Sequence, residues 1–276
     1  MVNKLLDMVR SAGKISLDLI QDSQPTLKPD QSVLTRADRA VSQFLRQAIE
    51  RAMPPGEYLI IDEEDGNNPG LFNEARLDEA RTLWLIDPID GTRAYSNRIP
   101  LFGISIGVLK DRAPWLGAVF FPALDELFFC DGKQSFFVQN PFSAKEKRVL
   151  ITPVDQEITR QSIFLASDHF MERYEWDHGL CQIMMPTTAV TELCWPAVGR
   201  GCGSYFQANA WDFAGSWPIF RSAGLDMRSF PEGKVLDRLN LEEFIGSAEK
   251  PWYLKAPYIL SSARNFSLLK VKIREK

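Results

Sequence analysis

The stretch WLIDPIDGTRAYSNRIP, residues 84–100, runs from an apolar, strand-like segment into two aspartates three residues apart. Asp87 and Asp90 cannot both be buried without a positive partner, because an isolated ionised carboxylate is very unfavourable in apolar surroundings. Gly91 has no side chain, so backbone N–H groups there can approach a ligand closely. If a short helix begins at Thr92, its N-terminus would accept an anion such as phosphate. The stretch predicts a site for a cation and an anion.

Composition limits the classes of function. The chain has 276 residues, of which 45% are hydrophobic and 25% charged, which is typical of a folded protein with a large core. A net charge of -4 argues against a nucleic-acid polymer as partner. Residues 1–21 have dispersed charges and no unbroken apolar run, so we expect no signal peptide, no membrane partner and a cytoplasmic location. Two histidines and four separated cysteines without a CxxC pair argue against zinc.

The first half of the chain predicts helices followed by a sheet. Apolar residues recur at helical spacing in 5–20 and 37–49, and Thr35 to Asp38 resembles a capping box at the start of the second helix. Short alternating or apolar runs, separated by turn residues, predict a largely antiparallel sheet. The strand candidates are 58–61, 83–86, 104–109, 115–121, 127–130 and 136–138.

The pattern changes near residue 146. Strand-like and helical segments alternate from there, which indicates a smaller α/β unit. The strand candidates are 149–151, 163–165 and 258–260, and the helical ones are 190–198 and 213–223. We therefore expect an N-terminal α+β subdomain over 1–145, with most of the metal ligands, and a C-terminal α/β subdomain over 146–276 that completes the site and shares the core.

Acidic residues follow the predicted elements at three places. In the segment IIDEEDG (60–66), acidic residues follow the end of a predicted strand. Asp87 and Asp90 follow the end of another predicted strand, and Asp212 lies at a predicted helix N-terminus. Carboxylate oxygens without histidine or thiolate suit a hard cation such as Mg²⁺. A metal, a phosphate site and a carboxylate able to deprotonate water together favour the hydrolysis of a phosphate ester.

Three motifs in this order resemble the inositol monophosphatase family. They are Asp62-Glu63-Glu64, Asp87-Pro88-Ile89-Asp90-Gly91-Thr92 and Trp211-Asp212-Phe213-Ala214-Gly215. The segment KPDQSVLTRAD (28–38) also resembles the lysine-containing loop of that family. The resemblance implies a layered αβαβα sandwich, a homodimer, and a phosphoric monoester hydrolase that acts on a small phosphorylated metabolite.

The resemblance also implies the metal ligands, with two or three Mg²⁺ ions per site. Glu63 and Asp87 would bind one ion together with the main-chain carbonyl of Ile89. Asp87, Asp90 and Asp212 would bind a second, so Asp87 would bridge the two.

The same resemblance assigns the catalytic and phosphate-binding roles. Glu63 and Thr92 would orient and deprotonate the attacking water, with Asp87 as the third catalytic residue. The amides of Gly91 and Thr92 would bind the phosphate, and no covalent phospho-enzyme would form. Substrate contacts would come from Asp90, Ala189, Tyr205 and Asp212.

Two departures from the family pattern bear on the substrate. Asp62 stands where many relatives have glycine, and we expect it to face solvent. The segment 203–212 lacks the acid that grips sugar hydroxyls in inositol phosphatases, and Tyr205 lies nearest to that place. We expect Tyr205 to stack on the substrate, which favours a sugar phosphate or a nucleotide 3′-phosphate over inositol 1-phosphate.

Other readings stay open on the sequence. The chain could be an inositol-1-phosphate phosphatase proper, or a non-catalytic regulatory or binding protein on the same scaffold. Asp212 could be a plain helix cap, and Lys28 with Asp30 a solvated loop instead of a lid. The apolar pairs Phe120-Phe121 and Phe128-Phe129 would leave one sheet face uncovered, which favours a dimer.

Overall fold

The computed structural model describes residues 1–22, 24–28, 32–154, 156–247 and 250–276. The helices are α1 (Val2–Leu19), α2 (Arg36–Ala52), α3 (Asn68–Leu71), α4 (Glu74–Glu79), α5 (Thr92–Ser96), α6 (Phe170–Arg173), α7 (Ala189–Cys194), α8 (Ala210–Ala214), α9 (Trp217–Ser222) and α10 (Ala263–Lys270). Short 3₁₀ turns cover Ile20–Asp22, Pro196–Val198 and Leu241–Glu243.

The strands form one large sheet, one smaller sheet and two strand pairs. They are β1 (Thr26–Leu27), β2 (Val33–Leu34), β3 (Tyr58–Asp62), β4 (Thr82–Asp90), β5 (Gly103–Lys110), β6 (Ala113–Phe121), β7 (Glu126–Cys130), β8 (Ser135–Gln139), β9 (Lys147–Leu150), β10 (Ile163–Ala166), β11 (Tyr174–Trp176), β12 (Gln182–Met184), β13 (Gly203–Phe206), β14 (Asp226–Ser229), β15 (Tyr258–Ser261) and β16 (Ile273–Glu275).

The large sheet has seven strands in the order β3-β4-β5-β6-β7-β8-β9. β3 runs parallel to β4, and every later neighbour is antiparallel. This confirms the predicted, largely antiparallel sheet. β9 is its edge strand although it lies after residue 145, and the division into 1–145 and 146–276 stays a prediction.

Helices α1 and α2 cover one face of this sheet. Leu5 and Val9 of α1 and Val41 and Leu45 of α2 are buried with the sheet residues in one apolar cluster. Both helices were expected from their apolar spacing. The predicted capping box of α2 is confirmed, since Thr35 and Asp38 exchange hydrogen bonds between side chain and backbone.

Helices α7, α8 and α9 lie on the opposite face of the large sheet, and α8 touches the sheet backbone. A methyl group on Gly107 of β5 would overlap Ala214 of α8, and one on Gly117 of β6 would overlap the carbonyl of Gly215. The two glycines therefore allow α8 to approach closer than side chains would permit. We refer to Gly107, Gly117, Ala214 and Gly215 as the glycine seam.

The smaller sheet has the order β12-β10-β13-β15-β14 and completes the layering. Its inner face packs against the central helices through residues such as Phe206 and Leu260. Its outer face packs against α6 and α10 through residues such as Phe164 and Phe170. The succession of helices, sheet, helices, sheet and helices confirms the predicted αβαβα sandwich.

The aromatic pairs of the large sheet are buried inside the chain itself. Phe120, Phe121, Phe128 and Phe129 are each at most 6% exposed, because helices cover both faces. The argument for a dimer from these residues is therefore wrong, and the homodimer stays a prediction. No helix within the described ranges combines the length and the apolar character needed to cross a membrane.

Candidate active site

The turn after β4 shapes the centre of the site. Pairing between β4 and β5 is irregular between Asp87 and Asp90, and Gly91 follows with a φ of +86° before α5 begins. A methyl group on Gly91 would lie 2.5 Å from Cγ2 of Thr188. Glycine is therefore required at this position both by the backbone conformation and by the close approach of α7.

A cleft of about 380 Å³ opens at this turn, between the large sheet and the second half of the chain. Of the residues proposed from the sequence, all but Tyr205 line it. They are Glu63, Asp87, Ile89, Asp90, Gly91, Thr92, Ala189 and Asp212. We refer to Glu63, Asp87, Asp90 and Asp212 as the carboxylate wall, and to the cleft residues between 167 and 207, which are contributed by the second half of the chain, as the far wall. The far wall includes Ser167, Asp168, Glu192, Phe206 and Gln207.

Asp87 is the most isolated charge of the carboxylate wall. It is 2% exposed, and its Oδ1 has no hydrogen-bond partner in the described part of the chain. Burial raises the pKa of Asp87 well above its ordinary value, and the neighbouring Glu63, Asp90 and Asp212 raise it further. A positive charge placed here would relieve both effects.

Asp90 faces the start of α7. Its Oδ1 accepts a hydrogen bond from the backbone N–H of Ala189 at 3.2 Å, and its Oδ2 accepts one from Val190. Burial raises the pKa of Asp90 to about 7, although these two bonds act in the opposite direction.

Asp212 combines a capping role with a place in the cleft. It is the third residue of α8, and its Oδ2 accepts from the backbone N–H of Asn209 at 2.7 Å. Burial raises the pKa of Asp212 well above its ordinary value, and the negative charges of Asp90 and Glu63 raise it further. The structure therefore confirms the helix cap and places the same carboxylate in the cleft, while its role as a metal ligand stays a prediction.

Lys28 holds Glu63 from outside the cleft. Its Nζ donates to Oε1 of Glu63 at 2.9 Å and to Oε1 of Glu64 at 2.7 Å. Burial raises the pKa of Glu64 to about 8, with Glu63 adding to the effect and Lys28 opposing it. Lys28 is thus a structural partner of the acids and not a solvated loop residue. Asp30, grouped with it in the sequence, lies outside the described residues.

Thr92 connects the turn to the cap of α2, a contact that sequence reasoning missed. Its Oγ1 lies 3.0 Å from the carbonyl oxygen of Ile89 and 3.2 Å from Oδ1 of Asp38. Burial raises the pKa of Asp38 to about 6. The sequence predicted Asp38 only as a helix cap. Its contact with Thr92, 54 residues later in the chain, leaves no local sequence pattern.

The donor set fits a hard cation, but it is not drawn together as a coordination shell. Within the described ranges, no three His, Cys, Asp or Glu side chains already converge on a metal position. Asp90 and Asp212 are turned toward backbone N–H groups, and Glu63 is turned toward Lys28. The unpartnered Oδ1 of Asp87 and the oxygen-only donors fit Mg²⁺, which these side chains would have to rotate to bind.

Two expectations about individual residues are wrong. Tyr205 is fully buried on the outer face of the small sheet, where its ring packs edge-on against Phe170 and Tyr174, so it cannot contact a substrate in the cleft. Its neighbour Phe206 lines the cleft instead, because successive residues of a strand face opposite sides. Asp62 is also fully buried, where it accepts a hydrogen bond from Ser42 at 2.6 Å.

Glu192 is a further cleft residue that the sequence did not reveal. It lies in α7 at 2% exposure and lines the far wall. In the sequence it is one acid within an apolar helical segment, which is typical of a surface residue. Only the tertiary packing of α7 shows that it is buried.

Comparison with known proteins agrees with this fold and site. The model of the inositol monophosphatase family matches residues 2–267. A histidinol-phosphatase of Chlorobaculum parvum is 34% identical over 139 residues, which are 49% of this chain and 50% of that protein. A fructose-1,6-bisphosphatase/inositol-1-monophosphatase of Aquifex aeolicus is 27% identical over 77% of this chain and 76% of that protein.

A solved structure is similar over nearly the whole chain. The IMPase of Thermotoga maritima has a TM-score of 0.72 at 20% identity and covers 98% of this chain and 95% of that one, which supports the fold. The phosphatase names of the two relatives above confirm the predicted enzyme class, a phosphoric monoester hydrolase. With the family model matched from residue 2 to 267, the chain belongs to the inositol monophosphatase family.

Proposed function

We propose that the protein is a Mg²⁺-dependent phosphatase that hydrolyses a small phosphate monoester by direct attack of water. The observation that supports this most strongly is the carboxylate wall. Four buried or half-buried acids from β3, β4 and α8 line one cleft, and their pKa values are raised chiefly by burial at Asp87, Asp90 and Asp212. Such acids fit a site that gains its stability from bound cations.

The carboxylates of Glu63, Asp87, Asp90 and Asp212 would hold the metal, together with the carbonyl oxygen of Ile89. When bound, Mg²⁺ supplies the positive charge that stabilises the transferring phosphoryl group and lowers the pKa of the attacking water.

The residues of the turn would position the phosphate and the water. The first N–H groups of α5, from Thr92 onward, lack acceptors within the helix, and Gly91, Thr92 and Arg93 line the cleft. Thr92 Oγ1, held near Ile89 and Asp38, would orient the water, and Glu63 would accept its proton. No side chain in this scheme forms a bond to phosphorus.

The substrate class stays broad at this stage. Stacking by Tyr205 favoured sugar phosphates or nucleotide 3′-phosphates, and the burial of Tyr205 removes that argument. The names of the relatives, histidinol-phosphatase and fructose-1,6-bisphosphatase/inositol-1-monophosphatase, support phosphate monoesters of small alcohols.

A panel of phosphate monoesters tests the function. We expect release of inorganic phosphate from at least one of histidinol phosphate, inositol 1-phosphate, sugar phosphates and nucleotide 3′-phosphates when Mg²⁺ is present. Excess chelator is expected to abolish it, and added Mg²⁺ to restore it. Undiminished turnover in chelator would contradict the metal dependence, and no release from any ester would favour a non-catalytic role.

A further inference from the structure

Glu192 is a buried acid without a partner. It is 2% exposed, and its side chain makes no hydrogen bond or ion pair with any residue that the structure describes. A carboxyl group that is almost entirely buried and faces only a cleft loses most of its hydration, which is costly unless a partner compensates for it. Because Glu192 lines the cleft, a ligand bound there can supply the missing partner.

The charges around Glu192 are almost all negative. Burial raises its pKa well above the ordinary value, and Asp90, Asp168 and Asp212 raise it further. Among the described residues that line the cleft, six are acidic and one, Arg93, is basic. Arg93 lies 3.6 Å from Asp168 and is paired with it, which leaves Glu192 without a cation.

A second polar group on the far wall also lacks a partner. The hydroxyl of Ser167 is buried and has no hydrogen-bond partner in the part of the chain that is described. Ser167 and Glu192 both line the same cleft. Two such groups in one cavity indicate a site for a ligand with hydrogen-bond donors.

We propose that Glu192 determines substrate specificity by binding an ammonium group on the alcohol of the phosphate ester. The inference rests on the proposed phosphatase function and names its substrate class, the phosphates of amino alcohols. The proposed metal ions would balance the carboxylate wall, and the phosphate would bring further negative charge. An ammonium group bound beside Glu192 would favour its ionised form and compensate its burial. An ammonium group has three donors, which suit the Glu192 carboxylate and the Ser167 hydroxyl.

Matched pairs of esters test the charge directly. Serinol phosphate and glycerol 1-phosphate differ only by an amine in place of a hydroxyl, as do glucosamine 6-phosphate and glucose 6-phosphate. We expect the wild-type protein with Mg²⁺ to prefer the amine in at least one pair by about tenfold in kcat/KM. In Glu192→Gln, which keeps the shape and a neutral donor, the preference is expected to fall to about one.

Three variants complete the test. Glu192→Asp keeps the charge and is expected to retain part of the preference. Asp168→Asn is expected to retain it, because Asp168 is already paired with Arg93. Glu172→Gln changes an acid of α6 that does not line the cleft and serves as the control. Circular dichroism of each variant shows that it is folded.

A binding measurement separates failure of this inference from failure of the proposed function. Titration calorimetry with serinol and inorganic phosphate, in the presence of Mg²⁺, is expected to show binding that weakens about tenfold in Glu192→Gln. Hydrolysis without any amine preference would overturn the inference and leave the phosphatase function intact. Absence of hydrolysis with Glu192-dependent binding would overturn the function alone. An amine preference that survives in Glu192→Gln or disappears in Asp168→Asn would overturn the role of Glu192.

Discussion

The two walls of the cleft are built from different kinds of structure. In the carboxylate wall, Glu63, Asp87 and Asp90 lie at or just beyond the ends of β3 and β4, and Asp212 lies in the first turn of α8. In the far wall, Glu192 lies inside the buried helix α7 and Phe206 ends a strand of the small sheet. The local sequence motif positions a residue at the end of a helix or strand. The neighbouring elements that pack against a helix or strand position the residues along its faces.

The electrostatic state of the two walls differs as well. Asp90 and Asp212 accept hydrogen bonds from nearby backbone N–H groups, and Glu63 pairs with Lys28. Glu192 and the hydroxyl of Ser167 have no partner among the described residues. In the carboxylate wall, protein groups therefore hold Glu63, Asp90 and Asp212 and leave Oδ1 of Asp87 to a ligand. On the far wall, both Glu192 and the hydroxyl of Ser167 are left to a ligand. This division predicts that loss of an acid from the first wall alters turnover, whereas loss of Glu192 or Phe206 from the second alters selectivity.

Asp87→Asn is expected to produce the largest effect. Loss of a carboxylate that is proposed to bind the metal should reduce kcat by about two to three orders of magnitude. The same substitution removes a buried charge without a partner at Oδ1, so the metal-free protein is expected to gain about 1 kcal/mol in its free energy of unfolding at pH 8.

Phosphate release and urea unfolding of the same preparation measure the two effects. Asp7→Asn, at an exposed position of α1, is the control and should change neither. A variant of Asp87 that is both inactive and less stable would show that the carboxylate supports the fold and not only the site.

Gly107→Ala is expected to have the next largest effect. The added methyl group overlaps Ala214, so α8 must shift and take Asp212 with it. We expect a loss of about 1–3 kcal/mol in the free energy of unfolding and a fall of about tenfold in kcat. Gly70→Ala is the matched control, because a methyl group there meets nothing within 4 Å. Full activity in Gly107→Ala would show that the position of Asp212 does not depend on the seam.

The carboxylate wall also predicts how stability depends on pH. Burial raises the pKa of Asp90 to about 7 and that of Asp38 to about 6, so the folded state binds protons more tightly than the unfolded chain. The metal-free protein should therefore lose stability as the pH rises from about 4 to about 7. Each 1 kcal/mol lost lowers the melting temperature by about 2–4 °C.

Melting curves at pH 5.5 and pH 8 measure this dependence, with chelator in one series and Mg²⁺ in the other. Mg²⁺ is expected to raise the melting temperature more at pH 8, where the ligands are ionised. A metal-free melting temperature that increases from pH 5.5 to pH 8 would contradict the raised pKa values.

The smallest expected effect is that of Tyr205→Phe. Because the ring lies among Phe170, Tyr174 and Phe230 and outside the cleft, kcat/KM should change less than about twofold for every ester tested. Phe206→Ala is the contrast, since Phe206 lines the cleft and its loss should alter the relative kcat/KM values of esters with different alcohols. A changed ester preference in Tyr205→Phe would restore its predicted role.

The sequence predicted the residues of the carboxylate wall better than those of the far wall, and the reason is physical. The main helices and strands followed from spacing, and the cleft position of Asp87, Asp90 and Asp212 followed from acids at the ends of elements. The αβαβα layering was implied by the family resemblance. Tyr205 was misplaced by one residue, and on a strand a single step reverses the face that a side chain presents. The burial of Glu192 depends on contacts with strands far away in sequence, which no local pattern contains.

The packing of α8 on the large sheet determines when that face of the sheet is covered during synthesis of the chain. Strands β3 to β8 pair mostly through hairpins between neighbours in sequence, so they can form while the chain is still being synthesised. The face that carries Phe121 and Phe128 is covered only when α8 and α9 have left the ribosome. Asp212 arrives with them, so the nascent chain has an incomplete set of the proposed metal ligands. Metal binding at the proposed site would therefore follow the folding of α8. A chain stalled before α8 exposes an apolar sheet face to chaperones.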